Sequence, residues 1–313
     1  MALLLNRRQA LTALAGSGGG AKAGVGNGHR LAGRLTTDGK YAVGEAALTD
    51  PAYAAIAATL AAGTVDVPAG WNAATMTDPM TLLVDSKPMF INGSNKAYTL
   101  SEPADNVFRY EIRANEPGTL TDLGLGNRRC ELVSFKENGY TSGQTLWMSW
   151  STVLGTQHDG MFLTDLADRF GYVMQVHPPA SKAPCVVVNY SQNLLRIMTS
   201  SDAEKVGADG VLKTRYSTAI PATGVVTNFV LAITFGSSGH LKAWVNGSSV
   251  YDADIPIGYY TDGGILGYPQ WGVYEKNWNT TEVVYTANIE WGTADLSARA
   301  ASPIAVPDLS PWA

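Results

Sequence analysis

Phe229-Val-Leu-Ala-Ile-Thr-Phe235, followed shortly by Leu241-Lys-Ala-Trp-Val-Asn246-Gly247-Ser-Ser-Val-Tyr251, decides the fold class. Alternate side chains of an extended strand share a face, so Phe229, Leu231, Ile233 and Phe235 form one bulky apolar side. Asn246-Gly247 supplies the positive φ angles of a tight type I′ turn, which makes the second stretch a β-hairpin. Working outward, short alternating segments broken by Gly, Asn, Asp and Pro recur from about residue 88 onward. They cover 107–113, 129–135, 145–153, 172–177, 185–190, 194–199, 268–274 and 283–291. Many short strands at even spacing predict an all-β sandwich or barrel.

Composition agrees. The 313 residues are 45% hydrophobic and only 16% charged, with 33 Gly and 15 Pro, ample for one large β core. The net charge of −5 and the lack of a Lys/Arg-rich run argue against nucleic acid as a partner. No apolar stretch approaches the ~20 residues of a membrane-spanning helix. Two cysteines, Cys130 and Cys185, do not make a disulfide framework; both fall in expected strands and read as buried free thiols, the alternative being a pair formed in an oxidising compartment.

Residues 1–30 hold Arg7-Arg8 before a short apolar segment, then Ala21-Lys22-Ala23. That pattern resembles a twin-arginine export signal, which implies a secreted or periplasmic protein. The alternative is a flexible Gly-rich tail, or an arm tethering the chain to a larger particle such as a virion. Residues 31–87 read as an extension and linker. It contains one helix, begun by Asp50-Pro51, carried by alanines and closed by Gly63. The β domain is expected over 88–295, and 296–313 as a tail strapped to the surface.

Three separated strands carry chemistry. Arg129-Cys130-Glu131-Leu132 puts Arg129 and Glu131 on one face, and Gln175-Val176-His177 does the same for Gln175 and His177. Tyr268-Pro-Gln-Trp-Gly-Val-Tyr274-Glu-Lys276 aligns Tyr268, Gln270, Tyr274 and Lys276. An arginine, an amide, an imidazole and a phenol suit the β-elimination that cuts uronic-acid polymers. The proton at C5 is barely acidic while the neighbouring carboxylate is negative. Donors that neutralise the carboxylate stabilise the enolate-like transition state. A tyrosine or histidine then takes the proton, and an acid protonates the departing O4.

These motifs resemble those of the jelly-roll polysaccharide lyases, a group that includes alginate lyases, glucuronan lyases and heparin lyase I. Their R-x-E-L, Q-I/V-H and Y-F-K-x-G-x-Y strands are matched in order over about Phe108 to Gly292. The resemblance implies a concanavalin-like β-jelly-roll sandwich, here preceded by the short N-terminal helix, that acts on an anionic polysaccharide without an organic cofactor. It implies that Arg129 and Gln175 neutralise the uronate, that His177 assists or acts as base, and that Tyr274 is base, acid or both. Glu131 would hold Arg129. The family's lysine is Gln270 here and Pro269 replaces an aromatic; Lys276, further along the same face, is a candidate to compensate. Tyr268 would line the groove.

Other residues are open to two readings. Arg109, Glu111 and Arg113 alternate onto one face and either extend a charged wall of the groove or solvate an outer sheet. His158, beside Gln157 in a loop, is a second Gln–His pair that either reaches the groove rim or belongs to a turn. His177, before Pro178-Pro179, also suits a strand cap. No His/Cys/Asp/Glu cluster has the spacing of a zinc or iron site. Asp252, Asp254 and Asp262 fit weak calcium loops or plain turns. Two other functions share the fold: a lectin-like or particle-borne adhesion module, and a glycoside hydrolase, for which no alternating Glu-x-Asp-x-x-Glu run is found.

Overall fold

The computed structural model describes residues 81–94, 96, 98–115, 127–155, 170–179, 182–206, 209–276 and 281–309. It also describes three two-residue strands, β1 (Leu4–Leu5), β2 (Arg34–Leu35) and β3 (Tyr41–Ala42). The helix expected over 50–63, together with His29 and His158, lies outside these residues.

Two antiparallel sheets form a sandwich. The first runs β1, β4 (Thr81–Val84), β5 (Lys87–Gly93), β8 (Asn127–Ser134), β20 (Ile265–Lys276), β11 (Phe170–His177), β12 (Val186–Ser191), β13 (Leu194–Thr199) and β16 (Lys213–Ala219). Short β9 (Tyr140–Thr141) adds to β20. The second runs β19 (Ser248–Asp254), β18 (His240–Val245), β17 (Val226–Thr234), β10 (Thr145–Leu154), β21 (Glu282–Gly292), β7 (Val107–Ile112) and β6 (Leu100–Ala104).

The inner faces interlock through aromatic rings. Phe229 of β17 stacks on Trp150 of β10 with centroids 4.9 Å apart. Trp150 in turn meets Trp271 of β20 edge-on at 6.3 Å, bridging the two layers. Leu231, Ile233 and Phe235 are buried beside them, the face read from alternation. Fully burying one such side chain contributes about 1.5–3 kcal/mol, so this seam fixes how the sheets register on each other. The β18–β19 hairpin closes on Asn246 (φ 49°) and Gly247 (φ 80°), with Val245 opposite Ser248, the geometry Asn-Gly dictates. Both cysteines are free and buried: Cys130 Sγ donates to the Thr99 carbonyl at 2.9 Å and Cys185 Sγ to that of Leu266 at 3.0 Å.

The sandwich begins earlier than alternation indicates. β4 and β5 pair through Val84↔Lys87, and β5 joins β8 with Asn92 opposite Glu131. Their turn uses Asp85 (φ 50°) and Ser86 (φ 62°), residues without the Gly that flags such a turn. Asp85 is held instead by Lys87 Nζ at 2.5 Å and by the Trp291 amide at 3.1 Å. At the far end, residues 294–309 lie on the second sheet's outer face. Val306 and Leu309 pack on Val107, Val153, Val283, Tyr285 and Ala287. Arg299 clamps Glu290 with two bonds of 2.6 and 2.7 Å.

Candidate active site

The site is built on the outer face of the first sheet, where β20 lies between β8 and β11. Trp271 and Val273 of β20 point into the core, which turns Gln270, Gly272 and Tyr274 outward. Cys130 and Leu132 of β8 are core residues, so Arg129 and Glu131 face outward too. The register sets Tyr274 opposite Arg129 on one side and Tyr172 on the other, Gly272 opposite Glu131, and Gln270 opposite Gln175.

These side chains form one connected network. Glu131, only 2% exposed, accepts from Gln175 Nε2 at 2.5 Å and faces Arg129 Nη1 at 3.4 Å. Gln175 Nε2 also reaches Gln270 Oε1 at 3.4 Å. Glu131 and Gln175 come from strands on either side of β20 and meet above Gly272. A Cβ on Gly272 (φ 145°) would stand 2.1 Å from the Cys130 carbonyl oxygen, so glycine lets β20 lie this close to β8. A buried carboxylate is costly unless paired, and here it is paired to a guanidinium and an amide. Glu131 therefore fixes both groups that the motif analysis assigns to carboxylate neutralisation, not Arg129 alone.

Tyr274 stands at the other end of the network. Its ring lies 4.1 Å beneath the Arg129 guanidinium carbon, a cation–π contact, and its hydroxyl accepts from Asn127 Nδ2 at 2.8 Å. Tyr172 meets it edge-on at 6.0 Å. Burial, then the neighbouring Tyr274, pushes the Tyr172 phenol well above its ordinary range, so Tyr172 stays protonated at neutral pH.

His177 ends β11 opposite Tyr268, with ring centroids 6.3 Å apart. Its Nδ1 is 2.6 Å from the Pro178 carbonyl oxygen, which can only accept. Nδ1 therefore carries the proton, and in the neutral ring Nε2 is the acceptor. Along β20 His177 stands six positions from Tyr274, up to ~20 Å between backbones at ~3.3 Å per residue. The structure thus joins Arg129, Glu131, Gln175, Gln270 and Tyr274 directly and sets His177 and Tyr268 further along the same face. Lys276 lies opposite Asn127, beyond Tyr274.

Arg109 and Arg113 are placed elsewhere. Phe108, Tyr110 and Ile112 fill the core, so Arg109 and Glu111 face outward from the second sheet, across the sandwich from Arg129. Glu111 binds Arg109 Nη1 and Arg113 Nε, each at 2.5 Å, and Arg109 Nε donates to the Tyr285 hydroxyl at 3.3 Å. The groove-wall reading of these arginines is corrected: they solvate and stitch the opposite sheet. Asp252 and Asp254 are engaged by His240, and Asp262 by Lys182, the pairings of ordinary surface turns.

Alternation does not single out two neighbours of Tyr274. Asn127 precedes Arg129 by two residues and shares its face, a signal present in the sequence. Tyr172 is hidden by a register shift between Tyr172 and Met174, which reverses the parity that would otherwise turn it inward with Val176.

A family model described as Polysaccharide lyase matches residues 82–290, most of the chain. The chain belongs to the polysaccharide lyase family. It is an enzyme, a lyase that acts on polysaccharides. Among solved structures, the lyase is similar to the endo-β-1,4-glucuronan lyase of the fungus Trichoderma reesei. That match has a TM-score of 0.50 at 15% identity and covers 65% of this chain and 90% of that one. It is also similar to the family 7 alginate lyase A1-II′ in complex with a GGMG substrate (TM-score 0.47, 12% identity, 64% and 84% covered). A third similar structure is the alginate lyase PA1167 of Pseudomonas aeruginosa (TM-score 0.44, 15% identity, 64% and 87% covered). No curated protein matches the chain by sequence. At such identities the first likeness speaks to the sandwich fold.

Proposed function

We propose that this lyase cleaves a uronic-acid-containing polysaccharide by β-elimination at the Arg129–Gln175–Tyr274 site. One observation carries the reading. Three adjacent strands bring a guanidinium, an amide and a phenol to one outer face, cross-linked by a nearly buried carboxylate. Arg129 meets the sugar carboxylate and spreads the charge that develops as C5 loses its proton, with buried Gln175 holding its partner Glu131. Arg129, with its five N–H donors, suits a planar carboxylate. Tyr274, as phenolate, takes the C5 proton; the C5–H electron pair forms the C4=C5 double bond and the C4–O4 bond breaks. The proton then leaves on the O4 oxygen, delivered by the same tyrosine. Water is not consumed, and the new end is an unsaturated uronate.

The test is direct. The purified protein is incubated with alginate, glucuronan and heparin-type polymers while far-ultraviolet absorbance of the conjugated product is followed. Growth of that absorbance on one polyuronate, lost in Tyr274→Phe with polymer binding retained, is the expected result. Binding without product on every polyuronate, or product on neutral polysaccharides alone, would overturn it.

A further inference from the structure

Asn127 has no role in the motif reading, yet its Nδ2 donates a hydrogen bond to the Tyr274 hydroxyl, at 2.8 Å. We propose that Asn127 is a positioning residue that sets the polarity of Tyr274, holding its oxygen as a hydrogen-bond acceptor so that it works as the base. The inference rests on the β-elimination reading above and assigns a division of labour within it.

The geometry gives the argument. Asn127 opens β8 opposite Lys276, and its side chain reaches two pairs along the ladder to the phenol. An amide N–H offers a donor and no charge, so it stabilises negative charge on the phenol oxygen without becoming a competing base. The Arg129 guanidinium over the same ring acts in the same sense. The other groups around Tyr274 do not oppose this. Tyr172, edge-on at 6.0 Å, remains neutral, and Lys276 adds a positive charge near the end of its own strand. Glu131 is engaged by Arg129 and Gln175, and Arg128 and Glu275 pair with each other on the inward-facing side. Asn127 Oδ1 is buried and accepts no hydrogen bond among the described residues, so the amide's whole polar contact is this donation. Turning the amide over would invert the roles: the phenol would donate to Oδ1 and its proton would be pinned away from the substrate.

Aspartate has asparagine's shape and enforces that inverted polarity, so Asn127→Asp is the decisive variant, with Asn127→Ala beside it. A hydrogen bond to a charged group is commonly worth about 10- to 100-fold in an equilibrium or rate. Asn127→Ala is expected to lower kcat by about that factor with KM little changed. Asn127→Asp is expected to fall further, with the acid limb of its kcat profile, set by the tyrosine base, displaced to higher pH. Asn127→Ser, which keeps a donor, should recover part of the rate. An Asn127→Asp enzyme with undiminished kcat would overturn the inference, as would an Ala variant that changes only KM. Thermal melts establish folding, and the isosteric Asp and Ser variants carry the test if alanine unfolds the strand end. Wild-type turnover in the same assays keeps this failure distinct from that of the underlying reading: an inactive wild type sinks the reaction, an indifferent Asn127 sinks only its role.

Discussion

The two outer faces of this sandwich carry nearly the same short pattern and do different things with it. On the first sheet Arg129 and Glu131 alternate on β8; on the second Arg109 and Glu111 alternate on β7. Their side-chain exposures are almost equal, 14% and 2% against 15% and 4%. Each arginine even touches a tyrosine, Tyr274 in one case and Tyr285 in the other. What separates them is the company supplied by distant strands. Glu111 is closed off by two arginines from its own stretch of chain. Glu131 is shared between Arg129 and Gln175, an uncharged donor from across β20. Local alternation makes an ion pair; non-local register makes a site.

The largest effect should come from breaking one face and sparing the other. Tyr274→Phe removes the proton acceptor and is expected to lower kcat by about 10²–10⁴-fold, with polymer affinity retained. Arg129→Ala should lose about 10²–10³-fold in kcat/KM through the lost charge stabilisation. Arg109→Ala removes an equally buried guanidinium, so both arginine variants should lose comparable thermal stability while Arg109→Ala keeps activity within about twofold. Steady-state kinetics beside melting curves decide it. Parallel loss of activity in both would mean that the two faces are coupled and the contrast is false.

The second effect is structural and falls on Gly272. A methyl there meets the Cys130 carbonyl oxygen and, at 2.7 Å, the Glu131 Cα, on a backbone with φ 145°. Strain and overpacking together predict a cost of about 3–5 kcal/mol for Gly272→Ala, read as a large drop in denaturation midpoint. Gly292, at φ 155° on the second sheet, has nothing nearer than the flexible Lys87 side chain at 3.8 Å. Gly292→Ala should cost only about 1–2 kcal/mol, the strain alone. Equal costs at the two glycines would remove the claim that Gly272 marks a crowded crossing point.

This contrast also measures how far sequence reading reaches. The face each residue shares with its strand neighbours was readable: Arg129 with Glu131, Gln175 with His177, Gln270 with Tyr274 all follow from a period of two. Which outer surface a strand presents was not, because Phe108-Arg-Tyr-Glu-Ile and Arg-Cys-Glu-Leu-Val look alike until the sheet order is known. Parity failed where the register slips, hiding Tyr172. Turn chemistry failed at Asp85-Ser86, where positive φ is held by an ion pair and a backbone bond in place of a glycine. Strand β16, polar on both faces at the sheet edge, offers no apolar stripe to read.

The smallest expected effect also lies on the second sheet and carries a sign. His240 sets both ring nitrogens against carboxylate oxygens, Nδ1 on Asp254 at 2.7 Å and Nε2 on Asp252 at 2.9 Å. Carboxylates only accept, so the ring is held as imidazolium, and the bond to Asp254 raises its pKa, partly opposed by desolvation. A raised folded-state value means that the pair stabilises in full below the unfolded histidine value of ~6.5. That stability is lost as pH rises through the folded value. Asp254 is 94% exposed, so water screens most of the gain. His240→Ala should therefore lower the melting temperature slightly at pH 5.5, not at pH 9, and leave polysaccharide cleavage unchanged. An equal loss at both pH values would assign the effect to packing and not to charge. A loss of activity would mean that the second sheet's outer face takes part in the reaction, which its arrangement of mutually satisfied ion pairs gives no reason to expect.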